Sequence, residues 1–243
     1  MLYRIMGDLK DKLVVVTGGT KGIGRAIIEK FSEAGYTIAT CARNETDLDD
    51  LKKSIEGKYG NKVLVNVSDV SRKAEVNDFI EFIRLTGKPV AVLVNNAGKF
   101  VPGQVHTEEE GVLESQIETN LYSAYRLSRG LIPEMKKRKK GHIFNICSTA
   151  SITAYTNGGS YCISKFAMYG MSKVLREELK VDQIRVTSVM PGATFTASWE
   201  GVDLPEDRFM KPEDVAEMIF TTYQLSDRTV VEDLVIRPQL GDL

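Results

Sequence analysis

The sequence predicts a doubly wound α/β fold: a seven-stranded, mostly parallel sheet with helices on both faces. Three features carry that prediction. Short β-branched runs alternate with helix-length amphipathic stretches along the whole chain. Most runs are nearly continuous in apolar residues, the pattern of strands buried on both faces of a parallel sheet. The first run leads directly into a glycine-rich turn and then a helix, the opening unit of such folds.

The strands are read, in order, at LVVVT (13–17), YTIATC (36–41), KVLVNV (62–67), VAVLVN (90–95), HIFNIC (142–147), IRVTSVM (184–190) and EDLVIR (232–237). Helices are expected near 23–34, 44–57, 71–86, 107–137, 159–180 and 212–224. Gly35 fits a helix C-terminal stop. Thr107 with Glu110 has the spacing of a capping box. Pro212 followed by Glu213 and Asp214 suits a first helical turn. With no linker, repeat or low-complexity segment, residues 1–243 are expected to form one domain.

Bulk properties narrow the function. Of 243 residues, 42% are hydrophobic and 27% charged, ordinary for a soluble chain that buries a large core. A net charge of −1 gives no broad electrostatic footprint for nucleic acid or an anionic membrane. No apolar run approaches the roughly 18 residues of a membrane helix. MLYRIMGDLKDK lacks a signal-peptide core, so a cytoplasmic location is expected. Cys41, Cys147 and Cys162 form no CxxC pair and have no histidine at zinc-ligand spacing. Neither a metal nor a disulfide framework is expected. His106 and His142 have no partner motif. KKRKK (136–140) ends a predicted helix, where cations complement the dipole; docking of an acidic partner is the other reading.

The turn in VVVTGGTKGIGRAI holds Gly18, Gly22 and Gly24. Glycines there let the backbone approach a pyrophosphate, and the helix N-terminus offers it unpaired N–H groups. It is not a P-loop, because Arg25 and Ala26 stand where Lys and Ser/Thr are required. The second strand ends TCARNE, with no carboxylate before Glu45 to accept from a ribose 2′-hydroxyl. Arg43 can instead grip a 2′-phosphate, with Lys21 as a second cation. The pattern points to NADP over NAD.

In order along the chain, TGGTKGIG (17–24), DV (69–70), NNAG (95–98), Asn120, Ser148, YCISK (161–165) and PGATFT (191–196) resemble the motifs of the short-chain dehydrogenase/reductase family, in its compact single-domain branch. The resemblance spans about residues 10–225 and implies a Rossmann-type oxidoreductase. It implies cofactor contacts from Gly18, Thr20, Lys21, Gly22, Ile23, Gly24 and Arg43. Asp69 would meet the adenine amino group with the Val70 backbone beside it, and Asn95 would steady the central strand. Asn96, Ala97 and Gly98 would lie along the cofactor. Pro191 and Gly192 would flank the nicotinamide, with Thr194 or Thr196 at its carboxamide or the pyrophosphate. Asn120, Ser148, Tyr161 and Lys165 are the implied catalytic tetrad, with Tyr161 and Lys165 also against the cofactor.

That set makes chemical sense. Reducing a ketone requires a hydride at carbon and a proton at oxygen. A free tyrosine, with a pKa of about 10, is poorly matched to neutral pH, and an ammonium one helical turn away favours its phenolate. Tyr161 is then the acid in reduction and the base in oxidation. Ser148 donates to the carbonyl oxygen, Lys165 holds ribose hydroxyls, and Asn120 orders a water linking Lys165 to solvent.

Substrate-facing loops are expected at KFVPG (99–103), ITAYTN (152–157) and SWEGVDLPEDRFM (198–210). Phe100, Tyr155, Trp199 and Phe209 suggest a pocket for a small lipophilic or aromatic ketone or aldehyde, and the resemblance implies 193–210 as a lid over the cofactor. An alternative is a 3-ketoacyl carrier-protein reductase, although VVEDLVIRPQLGDL departs from the Asp/Asn-Gly-Gly ending of many such relatives. A non-enzymatic alternative is an NADP-binding regulator or scaffold. The resemblance also implies a homodimer or homotetramer joined through helices 119–137 and 159–180; the tail 238–243 has no assigned role beyond possible subunit contacts.

Overall fold

The computed structural model describes residues 9–196, 201 and 203–242. Seven strands run β1 Leu13–Thr17, β2 Thr37–Ala42, β3 Val63–Val67, β4 Val90–Asn95, β5 Gly141–Ile146, β6 Ile184–Pro191 and β7 Asp233–Ile236. They form one sheet in the order β3-β2-β1-β4-β5-β6-β7. Every pairing is parallel. The helices are α1 Gly22–Glu33, α2 Glu45–Tyr59, α3 Lys73–Leu85, α4 Val112–Ile117, α5 Ser123–Arg138, α6 Gly159–Leu179 and α7 Pro212–Gln224. Strand order reverses between β1 and β4, which opens a crevice beyond their carboxyl ends.

The alternation of side chains along β1 shows why its sequence is apolar throughout. Val14 and Val16 join a core layer with Ile27 and Phe31 of α1, Leu51 and Ile55 of α2, and Val215 and Ile219 of α7. Leu13 and Val15 face the other layer, with Phe79 and Ile83 of α3, Leu127 and Leu131 of α5, and Leu179 of α6. A polar residue at any of these four positions would lose its water without gaining a partner.

Local signals account for several helix ends. Asn44 caps α2 by accepting from the Asp47 N–H at 3.1 Å. Gly35, at φ +98°, follows the last turn of α1, and Pro212 opens α7 with Glu213 and Asp214 in its first turn. The expected helix over 107–137 is corrected in two ways. Thr107 is no helix cap, because it closes a turn onto the Gln104 carbonyl, 2.8 Å from its own N–H. Gly111, left-handed at φ +87°, delays the helix to Val112. The helix then widens into a π turn over Glu118–Tyr122 before α5 resumes.

His142, fully buried on β5, stacks on Phe144 with ring centroids 3.9 Å apart. Thr187 donates to the Val231 carbonyl at 2.6 Å, so its hydroxyl accepts from His142 Nε2–H at 2.8 Å. Burial, and secondarily the charge of Arg185, hold the imidazole well below its ordinary pKa. The folded chain keeps the ring neutral, whereas the unfolded chain takes up a proton below about pH 6.5. Stability associated with this ring is therefore complete above about pH 6.5 and falls as pH drops below it. Urea unfolding at about pH 5.5 is expected to show wild type about 1 kcal/mol less stable than at about pH 7.5 on this account. His142→Gln, weaker at neutral pH, should lack that part of the slope.

Candidate active site

The crevice opens into a cleft of about 1450 Å³ at the carboxyl ends of the central strands. Its floor is the turn between β1 and α1. Gly18 is left-handed at φ +66°, and its N–H donates to the Cys41 carbonyl at 2.9 Å. At Gly24 a Cβ would lie 2.4 Å from the Gly18 carbonyl oxygen and 2.5 Å from Asn96 Nδ2. Glycine is what lets α1 begin this close to the β4 end. The first turn of α1 has neither a side-chain cap nor a carboxylate, unlike the Asn44-capped α2. Its N–H groups open toward the cleft, a natural seat for a phosphate.

Thr20, Lys21, Gly22, Ile23, Arg43, Asp69 and Val70 all line the cleft, as do Asn96, Ala97 and Gly98. Arg43 forms no ion pair among the described residues, whereas Lys21 is held by Asp47 at 3.3 Å. The second cation expected from the sequence is thus already partnered, though such an exposed pair contributes at most about 1 kcal/mol. Asp69 Oδ1 accepts from the Ser71 N–H and hydroxyl at 2.9 and 2.7 Å. Burial works against its charge. The Ser71 hydrogen bonds, with Arg43 and Arg72, outweigh burial and hold the carboxyl below its ordinary pKa. Asn96 lines the cleft, yet its side chain serves the fold: Nδ2 donates to the Thr17 and Gly18 carbonyls at 2.9 and 3.1 Å.

The four tetrad positions come from three elements: Ser148, Tyr161 and Lys165 line the cleft, whereas Asn120 is buried behind the Lys99 backbone. Tyr161 and Lys165 sit one turn apart on α6, with Lys165 Nζ 5.8 Å from the centre of the Tyr161 ring. Lys165 is only 5% exposed, and its ammonium donates to the Ile146 carbonyl at 2.8 Å. Ser148, just beyond β5, has extended backbone, and its hydroxyl accepts from the Ala150 N–H at 3.1 Å. Asn120 lies in the π turn. Its Oδ1 accepts from the Lys99 N–H at 2.8 Å, and its Nδ2 donates to the Lys99 carbonyl and to Ser164 Oγ at 3.0 and 2.9 Å. Both amide hydrogens are committed, so this side chain brackets the Lys99 backbone to α6 and keeps at most one acceptor lone pair for a water.

Phe100 packs edge-on to Tyr161 with centroids 4.9 Å apart, and Tyr155 also lines the cleft. Burial, then Tyr161 and Cys162, raise the Tyr155 pKa, so this second phenol stays protonated at neutral pH. Cys147 lines the same wall, and burial pushes its thiol up to about 11. Phe209 is a correction: it is buried and packs on Phe195 at 5.8 Å instead of lining the cleft. Trp199 lies outside the described residues. Pro191 and Gly192 end β6, and Thr194 donates to the Gly192 carbonyl at 3.1 Å. Thr196 packs over Gly22, where an added Cβ would lie 2.9 Å from its Cγ2. Thr194 also bridges Met210, pinning both ends of the expected lid. The tail returns to the site, for Asp242 lines the cleft beside Gly192 and pairs with Arg237.

A family model described as short chain dehydrogenase matches residues 12–206. The chain belongs to the short-chain dehydrogenase family. It is 32% identical over 241 residues to a sepiapterin reductase of Chlorobaculum tepidum, covering 95% of this chain and 98% of the relative. An alcohol dehydrogenase of Thermococcus sibiricus, solved with 5-hydroxy-NADP, superposes with a TM-score of 0.89 at 26% identity, covering 96% of this chain and 98% of that one. L-Sorbose reductase of Gluconobacter frateurii, solved with NADPH and L-sorbose, gives a TM-score of 0.87 at 28% identity, with 93% and 95% covered.

Among the cleft residues of this short-chain dehydrogenase that escaped the sequence are Asp47 and Asp242. No motif spacing marks them, because each reaches the cleft through a loop or helix-end conformation. The tightness at Gly24 yields a direct expectation. Gly24→Ala should lower stability by about 1–3 kcal/mol through overpacking against the Gly18 carbonyl. Thermal unfolding of the two proteins side by side measures it.

Proposed function

We propose that this oxidoreductase uses NADPH to reduce a small lipophilic or aromatic ketone or aldehyde to its alcohol. The supporting observation is the convergence of Tyr161, Lys165 and Ser148 at the end of the cleft where Phe100 and Tyr155 supply aromatic walls. The same cleft runs back to Arg43 at the end of β2 and to the uncapped first turn of α1, a donor set suited to a 2′-phosphate and a pyrophosphate. When bound, the cofactor supplies the hydride that reaches the carbonyl carbon.

The chain does the rest. Ser148 Oγ donates to the carbonyl oxygen as negative charge gathers there. Tyr161 Oη delivers the proton that completes the alcohol. Lys165, anchored by one N–H to the Ile146 carbonyl, keeps its other N–H groups for the ribose and for stabilising the phenolate left behind. Asn120 fixes the Lys99 backbone and, through Ser164, the turn of α6 between Tyr161 and Lys165. Phe100 excludes water from one side of the Tyr161 ring.

The carrier-protein alternative gains nothing from the basic run at 136–140. Glu118 and Thr119 line the cleft, and α5 then runs 16 residues away from it. Its basic end is therefore roughly 24 Å from the site, at the amino edge of the sheet. Lys136, Lys137 and Lys140 are already paired with Asp182, Glu134 and Asp227. A scaffold has no use for an ammonium buried beside a tyrosine at the end of a cleft.

The same reading has one domain, since all described strands share one sheet. Exposed Tyr122, Tyr125, Phe166 and Val174 on α5, α6 and the π turn support a homo-oligomer. Three free, buried cysteines suit the cytoplasm.

NADPH oxidation with aromatic ketones, diketones, quinones and a 3-ketoacyl thioester tests the substrate class. Tyr161→Phe should cut turnover by about a thousandfold while NADPH still binds, as followed by its fluorescence. Undiminished turnover would end the assignment of Tyr161 as the acid. Arg43→Asp should reverse the preference from NADPH toward NADH, seen as a ratio of kcat/KM values changed by about a hundredfold.

A further inference from the structure

The helix that carries Tyr161 and Lys165 lacks a cap of its own. Gly158 precedes it with no side-chain hydrogen bond, and its first turn contains no acidic residue. The missing acceptor comes from the loop after β4. Glu108 Oε1 accepts from the Ser160 N–H at 2.8 Å, and Oε2 accepts from the Ser160 hydroxyl. Two glycines make the slot for this carboxylate: a Cβ on Gly159 would lie 2.1 Å from Glu108 Oε1, and one on Gly103 2.6 Å from Glu108 Cγ. The backbone closes the same joint, with the Gly103 N–H donating to the Asn157 carbonyl at 3.0 Å. Phe100 of this loop touches Tyr161 itself.

Resting on the reading of Tyr161 as the proton donor, we propose that Glu108 is a positioning residue for the reaction. Clamped on Ser160, it sets the first turn of α6 against the substrate loop and so aims Tyr161 Oη at the carbonyl oxygen. The carboxylate does not reach the reacting atoms. It acts through the residue next to Tyr161, and through the loop whose Phe100 walls the substrate. A misplacement near 1 Å at a proton-transfer step lowers rate by about a hundredfold, so loss of the clamp should fall mainly on kcat.

The test compares Glu108→Ala, Glu108→Asp and Glu108→Gln with wild type and Tyr161→Phe, using one ketone that wild type reduces. Glu108→Ala and Glu108→Asp should lower kcat at least about tenfold, because the first has no acceptor and the second is one methylene short. NADPH affinity should stay within about twofold, since Glu108 lies outside the cofactor-facing turn. Glu108→Gln, which keeps the length and an acceptor oxygen, should restore kcat to within about threefold. A protein merely destabilised would melt earlier yet keep its kcat at assay temperature. Glu108→Ala turning over like wild type would overturn the inference, and so would Glu108→Gln as slow as Glu108→Ala. An active Tyr161→Phe would instead overturn the reading on which it rests.

Discussion

Beyond their last residues β1 and β4 turn away from each other, and hydrogen bonds across that gap fix how far they part. Thr17 Oγ1 accepts from the Asn96 and Ala97 N–H groups at 3.0 and 2.9 Å, while Asn96 Nδ2 returns bonds to the Thr17 and Gly18 carbonyls. Without these side chains the Asn96 and Ala97 N–H groups and the Thr17 and Gly18 carbonyls would need water or another partner. The glycine turn, the start of α1 and the approach of Gly24 all depend on this spacing. So does the path from the β2 end to Lys165.

A second polar layer ties the reaction end of the cleft to the sheet. Asn95 on β4 donates to Ser128 of α5 and to Asn145 of β5, and Asn145 donates to Ser172 of α6. All four side chains are buried. Such a network is costly to desolvate and tolerates few alternative packings, which makes it a register device. It sets α6 in one rotational position on the sheet, two turns below Lys165. The Lys165 ammonium then meets the Ile146 carbonyl at the end of β5.

Much of this could be read from the chain itself, because it follows from local periodicity. The bounds of β1 and β4 coincide with the expected runs, since both are apolar on both faces and end at polar or glycine residues. Ser148, Tyr161, Lys165, Arg43 and the glycine turn likewise share one cleft. What failed depended on contacts between distant segments. Thr107 and Glu110 have capping spacing, but Gly111 starts the helix later, and the neighbouring Glu108 caps a different helix altogether. Lys21 looked like a free cation until α2 brought Asp47 beside it. Phe209 sits in a polar, loop-like stretch, yet the Thr194–Met210 bridge turns it inward.

That bridge has a consequence for how such a protein can diversify. The Phe195 N–H donates to the Met210 carbonyl at 2.8 Å, and the Met210 N–H to the Ala193 carbonyl at 3.0 Å. The chain between is thereby closed at its base, and doubling the length of a closed loop costs only about 0.6 kcal/mol of closure entropy. The span between those bonds contains no residue of the sheet, the glycine turn or α6. Under the proposed function the segment would serve as a cassette: specificity would drift through its length and composition while the chemistry stays in place, which would make it the most permissive ground for laboratory evolution of new substrates.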